Sequence, residues 1–369
     1  MISLAIGIPE INLKLKELAE AKNTNASSDI ILLVLKGTKA TTFVASSESD
    51  IPSDLEENNK KLVLDALKGG TEDKVLNGYV VPVSLTPQKV IVKVVANETS
   101  VADALEECKT LDFTILAVPP AVKADNEAIK DFVDYMYQSG LGCMAVIKDG
   151  DGTIKNRNLI RYATTAEGYD STGGTTSELS ARIAGVVAGV PLTQSPTYQI
   201  TDDIKVKDKL SRTEIDNKVK AGELVIANIS GHTRIVRGVT SFPSEGPKPS
   251  PFSKIKLVQG YNFIQNAVKD VLVNNYVGKT QNGYSDKIAL CVAIKTELLD
   301  RLDFVEEGSI VEIDTEAQRA YLKTQGVDVS NMTDDEIDRH KTNTKVFLNL
   351  FFTVYDAMED FDINMNIEN

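Results

Sequence analysis

Three apolar runs, VIVKVV (90–95), FTILAV (113–118) and CMAVI (143–147), are separated by two amphipathic helical segments. A strand that is apolar without alternation has no face to offer water, so it is covered on both sides. Ser100 stands where VADALEECK needs an N-cap, and NEAIKDFVDYMY (126–137) carries its apolar residues at helical spacing. Strand, helix, strand, helix, strand of this character over 90–163 predicts a mainly parallel sheet with helices on both faces.

The remaining sequence is organised around that unit. A chain of 369 residues exceeds one ordinary domain. Before the unit, IILLVL (30–35) reads as a buried strand. SDLEENNKKLVLDALKGG (53–70) reads as a helix with a Ser53/Glu56 capping box and a Gly69-Gly70 stop. After it come a helix at SELSARIAGVVAGV (177–190), a short helix at EIDNKVKAG (214–222), and a hairpin over 223–238 that turns near Ser230-Gly231. The 177–190 helix has small residues at Ala181, Ala184, Gly185, Ala188 and Gly189. Two helix-interior glycines cost about 1 kcal/mol each against alanine, which points to a close contact for a central helix lying on the sheet. SFPSEGPKPSPFS (241–253), with four prolines, reads as a linker. Beyond it the pattern is α+β: long helical segments after 253 and from Ser285 as a cap, a strand at SIVEID (309–314), a capped helix at TDDEIDRH (333–340), and an alternating strand at TKVFLNLFFTVYD (344–356).

Both ends of the chain carry amphipathic strands set off from the body. Leu4, Ile6 and Ile8 alternate with other residues, Pro9-Glu10 interrupts, and Ile11, Leu13 and Leu15 alternate again before the polar stretch KNTNASSD (22–29). At the far end Phe361, Ile363, Met365 and Ile367 alternate with Asp362, Asn364 and Asn366. Period-2 alternation marks a half-buried strand, which has to pair with something. The expected fold is therefore α/β and α+β multidomain: an N-terminal arm (1–20), a small β-rich domain (21–95), an α/β core with a parallel sheet (96–242), a C-terminal α+β domain (243–357) and a C-terminal arm (358–369).

No catalytic or cofactor chemistry assembles from these residues. A net charge of −13 disfavours nucleic acid, whose phosphates are held by clustered Lys and Arg. No run has the ~18 apolar residues of a membrane span, and the N-terminus lacks the basic start and cleavage site of a signal peptide. Cys108, Cys143 and Cys291 are far apart within apolar segments and read as free buried thiols. His232 falls at a hairpin turn and His340 at the polar end of a short helix, which together with scattered cysteines make no metal site. The motifs GxSxG, GxxxxGK[ST] and GxGxxG are absent. STGGTTSE (171–178) suggests a phosphate loop, but it has no lysine, and a Thr175/Glu178 capping box accounts for it. The acidic pairs Asp202-Asp203, Asp334-Asp335 and Glu306-Glu307 sit in solvated or helix-start contexts. No catalytic residue, cofactor or metal is expected.

ARIAGVVAGVPLTQSPTYQI, the strand beginning Glu223-Leu224-Val225 and the segment TRIVRGVTSF resemble the core of contractile phage tail sheath proteins. The A-x-x-A-G-x-x-A helix is Ala181 to Ala188, the Pro-Leu turn is Pro191-Leu192, and the I-x-R-G-V-x-T/S-like segment runs from Ile235 to Ser241. The likeness covers roughly 95–369; residues 1–95 match in layout more than in motif. The short length is similar to the small sheaths of Gram-positive phages and phage-tail-like bacteriocins. The resemblance implies a structural subunit, not an enzyme, that polymerises as stacked hexameric rings around a tail tube, with baseplate and tail terminator or collar proteins as further partners. It also implies assembly in the host cytoplasm into a virion tail or bacteriocin particle, and contraction that drives the tube through an envelope. Its arms would add strands to neighbouring subunits. The donors are Leu4, Ile6, Ile8, Ile11, Leu13 and Leu15 at one end and Phe361, Ile363, Met365 and Ile367 at the other. The receiving sheet is 309–314 with 344–356, through Val346, Leu348, Leu350 and Phe352. Lys254, Lys256, Lys269 and Lys279 are candidates for touching the tube. The competing readings are a secreted surface-layer or adhesion subunit that also exchanges strands, and an α/β enzyme.

Overall fold

The structure is a computed structural model and describes residues 29–76, 79–169, 175–243 and 250–365. The first half contains β1 (Ile30–Gly37), β2 (Thr41–Ala45), α1 (Glu57–Lys68), β3 (Gly70–Leu76), β4 (Tyr79–Leu85), β5 (Lys89–Ala96), α2 (Val101–Glu106), β6 (Ile115–Ala117), α3 (Asn126–Gln138), β7 (Met144–Lys148) and β8 (Leu159–Tyr162). Then follow α4 (Leu179–Gly189), α5 (Arg212–Lys220), β9 (Ile226–Ile229), β10 (His232–Ile235), α6 (Ile255–Val271), α7 (Tyr284–Ala293), β11 (Ile310–Ile313), α8 (Thr315–Thr324), α9 (Asp334–Arg339) and β12 (Leu348–Phe351).

The unbroken apolar runs become one six-stranded sheet in the order β2-β5-β1-β6-β7-β8. Every neighbouring pair is parallel except β2 on β5. Strand β1 sits inside it, with Ile30 opposite Lys89 and Ile31 opposite Ile115. The sheet therefore draws strands from both sides of the sequence division expected near residue 95. Alternate residues of β1 face opposite layers: Ile31, Leu33 and Leu35 join the cluster with α1 and α4, while Leu32 and Val34 join the one with α2 and α3.

Helix α4 is buried along all eleven residues. Its small residues do what the sequence suggested, against a helix as well as the sheet. A Cβ on Gly185 would sit 2.5 Å from the Ala66 carbonyl oxygen of α1, and one on Gly189 would sit 2.0 Å from the Leu85 carbonyl oxygen. Arg182, 2% exposed, is the charged residue on this helix's buried surface. It forks onto Asp203 at 2.8 and 3.0 Å and donates to the Gly69 carbonyl at 2.5 Å. Burial pulls the Asp203 carboxyl up, but the Arg182 guanidinium and Lys68 outweigh it and hold it at about 2. A charge this deep is tolerated because it is paired with a carboxylate and each of its three nitrogens donates to an oxygen.

Some local expectations are corrected. Helix α1 starts at Glu57, since the Glu56 carboxylate accepts from Thr38 N at 2.7 Å and Thr38 Oγ1 at 2.8 Å instead of closing a box with Ser53. Helix α4 starts after Glu178 with no side-chain cap, and Thr176 before it is bridged to Val122, so Thr175 does not stand at the N-cap position the sequence suggested. Helix α7 is preceded by Gly283, which leaves Ser285 in its first turn. By contrast, Ser100, and Thr333 with Glu336, cap α2 and α9 as expected. The β3–β4 hairpin was not anticipated, although Asn77-Gly78 between its strands is a standard hairpin signal. The two ends of the proline-rich stretch meet, with Thr240 N donating to the Ser253 carbonyl at 2.9 Å. The chain returns at once to the core, where Ile255 and Val258 of α6 join the sheet cluster.

The rest of α6 packs with α7, β11 and β12 around Leu257, Ile264, Val268, Leu290, Ile294 and Phe304. Helix α6 continues into a π-helical turn at Leu272–Tyr276, and α7 into another at Ile294–Leu298. Replacing Gly185 with alanine should destabilise the chain by about 1–3 kcal/mol through overpacking, although the same change at an exposed helix site gains about 1 kcal/mol. Urea unfolding checks this; an unchanged or raised midpoint would contradict the close approach.

Candidate functional site

The C-terminal strands make a ribbon of two. Ile310 pairs with Phe351, Val311 with Leu350, Glu312 with Asn349 and Ile313 with Leu348. Val311, Ile313, Leu348, Leu350 and Phe352 belong to or pack on the C-terminal core, and Ile310 and Phe351 form an outer apolar pair, 52% and 37% exposed. Leu348, Leu350 and Phe352 are thus the ribbon's core face. Val346 precedes the paired stretch and is exposed. The regular pairing is shorter than the 344–356 alternation suggested. It resumes beyond a bulge at Glu307-Gly308, where Val305 bridges Val354 and Glu306 N donates to the Thr353 carbonyl at 2.9 Å. Among the described residues no third strand joins β11 or β12. Both outer edges present backbone donors and acceptors, and a ribbon of two short strands is marginal on its own.

After the ribbon the chain is held in place and then released. Lys256 Nζ donates to the Tyr355 carbonyl, Lys254 pairs with Asp356, and Arg237 pairs with Asp360. Glu359, whose side chain is 5% exposed, accepts from Thr197 Oγ1 at 2.6 Å, Ser195 Oγ at 2.8 Å and Arg237 Nε at 3.1 Å, with Lys254 Nζ at 3.4 Å. Burial pulls its carboxyl up, yet these hydroxyls and cations more than offset that and hold it below the usual range. Past this point Phe361, Ile363 and Met365 are 72%, 72% and 86% exposed and have no strand partner among the described residues. Ile367 and the N-terminal set Leu4, Ile6, Ile8, Ile11, Leu13 and Leu15 lie outside the described residues.

The N-terminal segment joins the body at Asp29. Its N–H donates to the Ala188 carbonyl at 2.8 Å, and its carboxylate accepts from Gln259 Nε2 of α6 at 2.6 Å. Burial, only partly countered by the Gln259 and Thr114 hydrogen bonds, pushes this carboxyl up to about 6. Gln259 is two turns or less from Lys254 and Lys256, so the roots of both arms are fastened to the first half of one helix.

The four lysines named as candidates for touching the tube are placed separately. Lys256 is 1% exposed, and burial, against the pull of Asp356, takes its ammonium down to about 8. Lys254 is occupied by Asp356 and Glu359, Lys269 donates to the Ser139 carbonyl at 2.7 Å, and Lys279 donates to the Asn274 carbonyl. They do not form one exposed basic patch, because each was committed to a carbonyl or carboxylate of its own chain. The residues screened for chemistry are also structurally employed. His232 Nδ1 lies 2.7 Å from Asp202 Oδ2, and Asp202 Oδ1 accepts from Thr233 N, tying the segment around residue 202 to β10. Asp334 and Asp335 lie in the first turn of α9. Burial pushes the Cys108 and Cys143 thiols up to about 11 and about 12. Among the described residues no group of His, Cys, Asp or Glu is placed to hold a metal, and no helix is long and apolar enough to cross a membrane.

Residues 95–241 match the phage tail sheath protein central domain. Over 370 aligned residues the chain is 30% identical to the tail sheath protein of Clostridium phage phiCD119, covering 98% of this chain and 99% of that one. The chain belongs to the phage tail sheath protein family. Solved sheath proteins share its fold. The contracted sheath of the extracellular contractile injection system PVC aligns over 99% of both chains at a TM-score of 0.61 and 14% identity. A sheath tail protein of Desulfitobacterium hafniense aligns over 82% of this chain and 94% of its own at 0.56 and 13% identity. The family is one of structural sheath proteins and not of enzymes. The three stretches that carried the resemblance in this tail sheath protein are α4, the turn after it and the exit from β10. All three lie within or at the edge of the matched domain.

Replacing Asp29 with asparagine tests the N-terminal root. A carboxyl whose folded value is raised from 3.8 to about 6 favours folding in its neutral form, so that contribution is lost as pH rises through about 6. The variant should therefore be more stable than the parent by roughly 2–3 kcal/mol at pH 8 and equal to it below about pH 4. Thermal or urea unfolding across that range measures it; a difference independent of pH would contradict the buried, unpaired carboxyl.

Proposed function

We propose that this sheath subunit polymerises as stacked six-fold rings around a tail tube and that its rings are joined by strand exchange between arms and ribbons. The observation that carries the reading is the pairing of opposites within one chain. One segment offers alternating, exposed Phe361, Ile363 and Met365, and another offers a ribbon over an apolar core whose edges pair with no strand among the described residues. Adding a strand to an edge gains backbone hydrogen bonds along its length, while alternate side chains set the register. The arm leaves its own subunit, so the contact is head-to-tail and does not close between two copies. Such an interface propagates as a ring or a helix.

In this reading, contraction is a rearrangement of rigid bodies that stay linked through their arms. Greater contact between subunits in the contracted form, summed over many copies, drives the tube through an envelope. The tube protein, a baseplate and a terminator or collar protein are the other partners. The particle assembles in the bacterial cytoplasm and serves as a phage tail or a bacteriocin. The net charge of −13 favours partners that bind through short-range strand pairing and apolar contact, since like-charged subunits repel at longer distance.

Removing residues 361–369 should leave a folded, soluble subunit that forms no tubes by electron microscopy. Ile363→Asp should act the same way by placing a charge on the buried face of the added strand, whereas His232→Ala should assemble normally. Normal tubes from the truncated chain would refute strand exchange by this arm.

A further inference from the structure

A subunit built for exchange faces a competitor, which is itself. Only residues 353–360 separate the end of the ribbon's core face at Phe352 from the first apolar residue of the arm at Phe361. Hairpin loops commonly need two to five residues, so the arm has chain enough to turn back onto the edge of its own ribbon. A short tether gives an effective concentration of about millimolar. Dilute subunits meet at micromolar concentration, so self-pairing would start with roughly a thousandfold advantage.

In the structure the intervening chain is fastened elsewhere. Tyr355 N still donates to the Phe304 carbonyl at 3.0 Å, in line with the ribbon's ladder, but from the Tyr355 carbonyl to Asp360 the chain is held at four points off the ribbon. Lys256 and Lys254 at the start of α6 hold Tyr355 and Asp356, and Arg237 beyond β10 holds Asp360. The innermost point is Glu359. Its side chain turns in to the loop after α4 while Met358 beside it is 79% exposed. Thr197 N donates to Ser195 Oγ, which reaches Glu359 at 2.8 Å, and Gly238 N donates to Thr197 Oγ1 at 2.9 Å. The receiving hydroxyls are thus fixed by the backbone, and the carboxylate enters a prepared seat.

We propose that Glu359 is a clamp that carries the root of the C-terminal arm away from its own ribbon, which keeps the arm available to a second copy of this chain. With Glu359 seated, the residues that would form the turn of a self-paired hairpin are committed elsewhere. The joint about which the arm moves begins beyond Asp360. The inference rests on the strand-exchange reading, and it adds a device that selects between exchange and self-closure.

Hydrogen–deuterium exchange on the full-length soluble subunit, held dilute, reads the clamp directly. In the parent, amides of 361–365 should exchange as unstructured chain. In Glu359→Ala they should become protected by at least about tenfold, as expected for the tethered state, together with amides on one ribbon edge. Tube elongation followed by light scattering should slow by a similar factor. A double variant, Ser195→Ala with Thr197→Ala, removes the seat without leaving a new charge and should shift both readouts in the same direction; β1 amides report that each variant is folded. Unprotected 361–365 amides in both variants would overturn the clamp. Protection gained by the variants of a subunit that never forms tubes would uphold the clamp and overturn strand exchange between copies.

Discussion

Helix α6 is where the molecule is fastened together, and its buried face is polar as well as apolar. Ile255 and Val258 join the sheet's core while Leu257, Ile264 and Val268 join the C-terminal core. Between them, side-chain amides bond main chain of the sheet unit. Asn266 exchanges two hydrogen bonds with Gly142 at 2.6 and 2.9 Å, and Gln265 donates to the Tyr137 carbonyl at 3.2 Å. A buried amide left without a partner costs more than a satisfied one gains, so this face fits one surface in one register. The same helix holds Asp29 through Gln259 and the segment 355–359 through Lys254 and Lys256.

That geometry suits a subunit in a mechanical lattice. In the proposed lattice, tension on either arm would arrive at one helix that is keyed to both cores, so it would act on the body as a unit. The chemistry at each root differs. The C-terminal root is a carboxylate among cations and hydroxyls, and the N-terminal root is a carboxyl in an uncharged seat. The first is held by charge and resists acid down to low pH; the second is more comfortable protonated.

The sequence made the sheet visible because its strands are apolar without interruption, and only a doubly covered sheet accommodates that. It also showed the small face of α4, since two glycines in a helix interior need a reason, and Gly185 against Ala66 supplies it. The terminal alternation was read by the same rule as the ribbon, from period 2; the described residues 361–365 form no strand within their own chain. What escaped notice were the positions where long polar side chains point inward. Lysines and glutamines are read as solvated by default. Lys256 and Gln259 depart from that default only because a carbonyl and a carboxylate from segments 99 and 230 residues away arrive to meet them. Short polar residues misled in the other direction. Ser53 and Ser285 were read as caps, but the helix start is set by which backbone groups the surrounding fold has already taken, and here it shifted by a few residues.

A helical reconstruction of the assembled tube at side-chain resolution tests the account most directly. It should show residues 361–367 of one subunit as a strand on the edge of the β11–β12 ribbon of another, with Phe361, Ile363 and Met365 on the core side. A tube in which that ribbon edge is occupied by its own chain, or left bare while subunits touch only through their bodies, would contradict it.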